Sequence, residues 1–413
     1  MKFLHLADLH FGKSIYNISM LEKGDQRAWV DRFLELARDV RPDAVVIAGD
    51  VYDRSSPSGD AVVLLDHMIT ALAEMGVSVM LVAGNHDSGQ RLSFGGSLLA
   101  RQKVHIAGVF SKELVHVTLT DQDGPVTFWL MPYIFPALVA QALGDESIRD
   151  YDTAVRRLLE AQNIDFTQRN VLVAHQNVTA NGEETQRGGS ESMVGGVGQV
   201  DYHAFDGFDY VALGHIHSSY HVGRKTVRYA GSPLCYHFRE TRQPVKGPVL
   251  VELNAKGAPV TLETKEIPPL HPMREIRGSY QEIQEAELRN TSQGEYIQIV
   301  LTDRKRDPDS YGFFSSLFER RGSLLLELAS EYSPFTPVHD APAEQMKEKP
   351  VEELFADFYT QRSDGAAPDA LENELLRFVG EQVRGSSPMD DKEKLEKQVN
   401  ALLKFAREQE DAP

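Results

Sequence analysis

Five short segments carry the residues whose types and spacing could do chemistry. They are Asp8-Leu-His10, Gly49-Asp50, Gly84-Asn-His-Asp87, Ala174-His175 and Gly214-His-Ile-His217. Their side chains are carboxylates, imidazoles and one amide, without a thiolate. Such hard and borderline donors suit Mn²⁺ or Fe²⁺ and admit zinc. The seven candidate ligands, Asp8, His10, Asp50, Asn85, His175, His215 and His217, exceed what one ion needs. With Asp50 as a bridge they divide into two shells. Asp8, His10, Asp50 and His217 serve one ion, and Asp50, Asn85, His175 and His215 the other. Two divalent ions about 3.5–4 Å apart would hold a hydroxide for attack and polarise a phosphoryl oxygen. His86 lies between Asn85 and Asp87, where it can reach the site without ligating. It is the candidate general acid for the leaving oxygen, and Asp87 the group that orients its ring or raises its pKa.

Each segment alone is weak. GD, AHQ or DLH by itself is more often a turn or a satisfied core polar group. GHIH says more, because residues i and i+2 of an extended segment point to the same side. The argument comes from all five falling in order, each at the end of a predicted strand. Glycines there suit turns that need a positive φ or a close approach to an ion. Single histidines elsewhere (His5, His67, His105, His116, His203, His221, His237, His271 and His339) read as surface or core residues, and Cys235 as a buried small residue.

The elements that must position these groups are legible in the hydrophobic pattern. Lys2–Leu6, Ala44–Ala48 and Val77–Val82 read as buried strands. Gln26–Val40 reads as a helix whose Trp29, Phe33, Leu36 and Val40 recur at helical spacing, and Asp60–Met75 as a second helix closed by Gly76. Val126–Met131, Val171–Ala174, Tyr210–Leu213, Val227–Ala230 and Val249–Leu253 are further strands. Strand–helix repetition predicts a layered α/β fold with a largely parallel sheet, whose ligands gather at the C-terminal strand ends. A glycine-rich stretch between His175 and Tyr210 has the length of a functional loop. A proline cluster, Ile267 to Pro272, marks a boundary. Beyond it, 273–332 reads as a small α+β domain with helices over 281–289 and 311–321 and strands over 296–302 and 324–328. A second linker, Ser333 to Pro337, leads to a helical tail, 341–413, with apolar stripes through Val351, Leu354, Phe355 and Phe358 and through Leu395, Val399, Leu402 and Leu403.

The motifs DLHFGK, GDVYDR, AGNHDS, AHQ, ALGHIH and YAGSPLCY resemble those of the calcineurin-like metallophosphoesterases, in order and spacing. The GSE segment Gly189 to Glu191, the small domain and the tail resemble the SbcD-type nuclease subunits within that superfamily, over essentially the whole chain. The resemblance implies a metallophosphoesterase βα sandwich over 1–270, with two Mn²⁺ as cofactors; Mg²⁺, Fe²⁺ and Zn²⁺ stay open. It implies a 3′–5′ double-strand exonuclease and hairpin endonuclease in DNA end processing, repair, replication and recombination. It implies an SMC-like ATPase partner of the SbcC type, whose coiled coil the tail binds, a small domain that caps the site, and a homodimer within a heterotetramer. One departure is Asp53, where archaeal relatives carry a histidine. Two rivals remain. A nucleotide phosphodiesterase needs neither cap nor tail. A protein Ser/Thr phosphatase shares GDxxDR, but here Ser55 replaces its glycine, and Asp87 stands where that branch has Glu.

Charge cuts across this reading. The 413 residues carry 43 basic and 61 acidic side chains, net −18. That balance argues against a polyanionic partner. Acid is densest in the tail, where 10 basic residues meet 17 acidic ones. Between 224 and 246 the sign reverses, with Arg224, Lys225, Arg228, Arg239, Arg242 and Lys246 against Glu240 alone. This stretch is a candidate phosphate-backbone contact. One cysteine excludes an internal disulfide framework. With no long apolar run, the chain reads as a cytoplasmic protein, and the resemblance implies that it is nucleoid-associated.

Overall fold

A short strand whose every residue is apolar has two dry faces and must be covered on both. In Lys2–Leu6, Ala44–Ala48 and Ser78–Val82 the residues alternate between two different cores. Leu4, Leu6, Val45, Ile47, Val79 and Leu81 face helices Asp25–Val40 and Gly59–Glu74. Phe3, Val46, Ala48, Met80 and Val82 face a second sheet instead. That sheet repeats the pattern. Val126, Phe128, Leu130, Val171, Val173, Tyr210 and Ala212 point inward, and Trp129, Met131, Leu172, Ala174, Val211 and Leu213 outward onto helix Tyr151–Glu160. The result is four layers, α/β/β/α. Phe3 locks the sheets together, with edge-to-face contacts to Phe128 at 5.3 Å and Tyr210 at 5.6 Å.

The computed structural model describes residues 1–180, 182, 198–242, 245–305 and 307–331, which lie in one compact unit, Met1–Glu331. The GSE segment, the Ser333–Pro337 linker, His339 and the 341–413 tail with its apolar stripes lie outside the described residues, as do residues 181 and 183–197 of the glycine-rich stretch.

Each sheet has six strands. In the first, Lys2–Leu6, Ala44–Ala48, Ser78–Val82 and Val104–Ala107 run parallel; Val249–Glu252 lies antiparallel beside Lys2–Leu6, and Thr261–Thr264 antiparallel beside Val249–Glu252. In the second, Gly124–Met131, Arg169–His175, Tyr210–Gly214 and Val227–Tyr229 are parallel, edged by antiparallel Val115–Asp121 and Tyr220–His221. The single largely parallel sheet read from the sequence is thus a pair of mixed sheets. Their edge strands escape sequence reasoning because Val115–Asp121 and Thr261–Thr264 are half exposed and only alternately apolar.

Local signals set the helices. Gly24, at φ 83°, opens the first, and Trp29, Phe33 and Ala37 line its buried face, with Trp29 stacked on Phe33 at 5.3 Å. Ser58 caps the second by accepting the Ala61 N–H at 3.3 Å. Residues 273–330 form a three-stranded parallel sheet (Met273–Gly278, Tyr296–Leu301, Leu324–Ser330) with helices Tyr280–Arg289 and Pro308–Glu319. Tyr296 and His271 reach across to Asp25 at the start of the first helix, at 2.7 and 2.9 Å. Among the described residues no helix is long and apolar enough to cross a membrane.

Candidate metal centre

Parallel strands in a layered fold end on the same side, and every candidate ligand follows such an end. Asp8 and His10 follow Lys2–Leu6, and Asp50 follows Ala44–Ala48. Asn85, His86 and Asp87 follow Ser78–Val82. His175 closes its own strand, and His215 and His217 follow Tyr210–Gly214. Two sheets therefore feed one site across the sandwich.

The backbone there is tense. Asp8, His10, Asp50 and His215 all have positive φ, at 53°, 44°, 47° and 102°. These are half of the eight such non-glycine residues among the described ones, a concentration expected where function fixes an unfavourable geometry. The glycines beside them act mainly through space. A Cβ on Gly84 would sit 2.1 Å from Asp50 Oδ1, and one on Gly214 would sit 1.8 Å from the Ala48 carbonyl oxygen.

All seven candidate ligands converge, in a closed circuit of contacts. His217 Nε2 faces His10 Nε2 at 3.1 Å, and His10 Nε2 is 3.6 Å from Asp50 Oδ2. Asp50 Oδ2 is 3.4 Å from His175 Nε2, which is 3.0 Å from Asn85 Oδ1. That oxygen is 3.2 Å from His215 Nδ1, and the His215 N–H donates to Asp8 Oδ1 at 2.9 Å. Donor atoms of Asp8, His10 and His217 lie mutually within 4.8 Å, as do those of Asp8, Asp50 and His175, so Asp8 as well as Asp50 touches both halves.

The donor set fits divalent cations. His175 Nδ1 must donate to the Ala48 carbonyl at 2.8 Å, which leaves Nε2 facing two oxygens. His10 and His217 meet nitrogen to nitrogen. Among the described residues, Asp8 Oδ2 is buried without a hydrogen-bond partner. Burial pushes the Asp8 carboxyl up to about 7 against the opposing pull of His175 and His217. Burial also acts on Asp50, but His175 and His10 outweigh it and hold that carboxyl well below the usual range. Burial alone would lower His175, yet Asp50 and Asp8 lift it to about 9. Burial keeps His10 well below its ordinary value. Acids and bases shifted in opposite senses within one dry cluster are what a positive ion relieves.

His86 and Asp87 do different work from each other. His86 Nδ1 donates to the Asp53 carbonyl at 3.0 Å, and its Nε2 is 4.0 Å from Asp50 Oδ2, at the rim of the cluster. The Asp87 carboxylate accepts the N–H groups of Val51, Tyr52 and Gly84 at 3.1, 2.9 and 2.9 Å. It braces the two strand-end loops together. Burial and the Asp50 charge push it up to about 6.

The basic stretch 224–246 is only partly available to a ligand. Arg224 donates to the Phe208 and Phe205 carbonyls, Arg228 to Ser219 Oγ, and Lys246 pairs with Glu240 at 2.8 Å. Lys225, Arg239 and Arg242 are more open to solvent. Half the patch is thus spent inside the fold. His5 is a core histidine, with Nδ1 3.0 Å from Tyr210 Oη. Burial pushes the Cys235 thiol up to about 11, so it is no nucleophile at neutral pH.

Sequence reasoning misses Glu240, which faces His217, and leaves the role of Asp53 open. Asp53 Oδ1 lies 3.6 Å from His10 Nδ1 and 2.7 Å from Lys13 Nζ. The signal for Glu240 is present as the lone acid among six cations.

Comparison with known proteins agrees with this geometry. Residues 1–219 match the family model of the calcineurin-like phosphoesterases, and residues 269–363 that of the type 5 capsule protein repressor C-terminal domain. A curated relative from Staphylococcus saprophyticus, named as the SbcD component of nuclease SbcCD, is 32% identical over 309 residues, 73% of this chain and 78% of the relative. A relative of the same name from Staphylococcus epidermidis is 31% identical over 309 residues, 73% of this chain and 79% of the relative.

Proposed function

Because the chain belongs to the calcineurin-like phosphoesterases and, within them, to the SbcD family of nuclease subunits, we propose a specific division of labour for its site. The protein is a metal-dependent nuclease. In the proposed division, Asp8, His10, Asp50 and His217 hold one Mn²⁺, and Asp50, Asn85, His175 and His215 a second. Bound there, the ions supply Lewis acidity and neutralise charge at the scissile phosphate. The observation that carries the reading is Asp50 Oδ2, within 3.4, 3.6 and 4.0 Å of nitrogens of His175, His10 and His86. A carboxylate oxygen so placed serves both halves of the centre.

The remaining steps belong to the chain's own groups. His86, with its Nδ1 held by the Asp53 carbonyl, presents Nε2 toward the site and gives a proton to the leaving oxygen. Asp87 keeps the loop rigid so that the transfer distance is fixed. Left-handed Asp8, His10, Asp50 and His215 are held in place by the strands behind them, so little reorganisation accompanies reaction.

In this reading the substrates are duplex ends, digested 3′ to 5′, and hairpins, opened endonucleolytically. The partner is an SMC-like ATPase of the SbcC type, bound through residues 341–413, in a heterotetramer built on a homodimer of this chain. Residues 273–332 cap the site. An acidic chain of net −18 grips DNA weakly by itself, and the ATPase supplies most of the affinity.

Cleavage of an end-labelled hairpin with Mn²⁺, with and without the ATPase, tests the whole reading. Opening of the hairpin that the ATPase accelerates supports it. Hydrolysis of mononucleotide esters or a phosphopeptide in preference to DNA would overturn it. Deleting residues 341–413 should abolish ATPase binding and leave weak Mn²⁺-dependent activity; retained binding would remove the tail from the interface.

A further inference from the structure

An imidazole binds a cation only through the nitrogen that lacks a proton, and the partner of the other nitrogen decides which one that is. For His175 this partner is the Ala48 carbonyl. For His217 it is Glu240, whose Oε1 lies 3.3 Å from His217 Nδ1. Glu240 sits on the short turn Phe238–Arg242, outside all five ligand segments, and is 1% exposed.

The two carboxylate oxygens of Glu240 have separate surroundings. Oε2 accepts from Lys246 Nζ at 2.8 Å, from the Tyr236 N–H at 3.2 Å and from Ser232 Oγ at 3.3 Å. Oε1 faces the histidine. Lys246 Nζ also donates to the His217 carbonyl at 3.1 Å and to Ser232 Oγ at 2.6 Å. The lysine thus holds the His217 backbone while the glutamate holds its ring. Tyr236, from the same segment, donates its hydroxyl to the Leu9 carbonyl at 2.6 Å, between Asp8 and His10. Its ring stands edge-on to both imidazoles, with centroids 5.7 Å from His10 and 5.6 Å from His217.

Such a buried pair is a poor way to gain stability. Apolar side chains of similar volume usually do as well or better, because two charges must be stripped of water. What the pair provides here is orientation, together with a base behind the ring. We propose that Glu240, fixed by Lys246, is the positioning residue of His217. It accepts the Nδ1 proton, keeps the Nε2 lone pair turned toward His10 and Asp8, and sets how tightly that half of the centre binds a divalent cation. A looser copy stands behind His10, where Asp53 Oδ1 is 3.6 Å from Nδ1 and Lys13 anchors the acid at 2.7 Å. Carboxylates behind metal-binding histidines commonly tune affinity in this manner.

The inference rests on the metal-centre reading above, and its test separates the two. Full-length wild type and Glu240→Gln are titrated with MnCl₂ alone by calorimetry, without substrate, alongside Asp50→Asn. Glutamine keeps the shape but loses the charge. The expected result is one class of Mn²⁺ sites weakened about 10- to 100-fold in Glu240→Gln, with the other class unchanged. An isotherm equal to wild type overturns the positioning role while leaving the centre intact. A wild type that binds no Mn²⁺, or an Asp50→Asn indistinguishable from it, overturns the centre itself. Should Glu240→Gln fail to fold, the wild-type protein decides. Imidazole ¹⁵N spectra of the Zn²⁺-loaded chain should show His217 carrying its proton on Nδ1. A proton on Nε2, or ligation through Nδ1, overturns the proposal.

Discussion

Strand Arg169–His175 has a buried basic side chain at each end, and the two are treated in opposite ways. Arg169, 2% exposed, pairs with Asp121. Its terminal nitrogens also donate to the carbonyls of Leu253, Asn254 and Gly124 at 3.3, 3.2 and 2.6 Å. At that end two cations, the Arg169 guanidinium and the N-terminal ammonium of Met1, meet the one Asp121 carboxylate within a shell of carbonyls. At the other end of the strand, the Nε2 of His175 faces Asn85 and Asp50 in a cluster that also crowds His10 against His217 and leaves an Asp8 oxygen unpartnered among the described residues. In the first arrangement the charges are answered by opposite charges and carbonyls, although Arg169 Nε has no partner among the described residues. The second is complete only with positive charge added from outside. Buried charge by itself therefore marks neither function nor structure; whether its partners balance does.

Four experiments would sharpen or break that contrast. The largest effect belongs to Asp50→Asn. Removing the central carboxylate should cost several kcal/mol of transition-state stabilisation, about 10³-fold or more in DNA cleavage with Mn²⁺. Unchanged turnover would mean the cluster is not the reaction centre. Next, Arg169→Met should destabilise the fold by about 3 kcal/mol, read from urea denaturation, because Asp121 loses its guanidinium partner and keeps only the N-terminal ammonium. Mn²⁺ binding should not move; if it does, the two ends of the strand are not independent. His86→Ala should slow cleavage by about 100-fold at saturating Mn²⁺ while metal occupancy stays that of wild type. Joint loss of metal would instead make His86 a ligand, a role its grouping with His10 and Asp53 would then explain. The smallest effect is on thermal stability. Mn²⁺ at ten times its dissociation constant should stabilise the wild type by about 1.4 kcal/mol per site, reversed by chelator, and Asp50→Asn should lose this gain. Equal stabilisation of both would place the binding elsewhere.

Much of this is legible in the chain. The order and type of the ligand residues are local facts, since a Gly-Asp or Gly-His-Ile-His after an apolar run reads directly as a strand-end turn. The central strands are equally plain, because burial on both faces leaves continuous apolar runs such as Ala44–Ala48 and Ser78–Val82. The strands of the small α+β region emerge within a few residues at Tyr296–Leu301 and Leu324–Ser330, and its helices at Tyr280–Arg289 and Pro308–Glu319. Edge strands stay hidden because half their residues face water. The pairing of Glu240 with Lys246 and the backbone contacts of Asp87 are unseen for another reason. An acid, a lysine and a histidine look alike in sequence whether they face solvent or one another.

What the sequence determined alone is therefore the inventory: which hard donors exist, in what order, and that each follows a strand. That content is local, set by side-chain chemistry and a period of two. Only the tertiary structure decided which donors share a volume, because convergence depends on two sheets stacking with Phe3 against Phe128 and Tyr210. It also decided which charges are already answered. Lys246 spends its charge on Glu240 beneath His217, and Asp87 spends its carboxylate on three backbone N–H groups. Some of these pairings are only a few residues apart, as Lys246 with Glu240, and others lie farther apart in the chain, as Asp87 with Val51 and Tyr52; in each case the fold, not the spacing, decides that they meet.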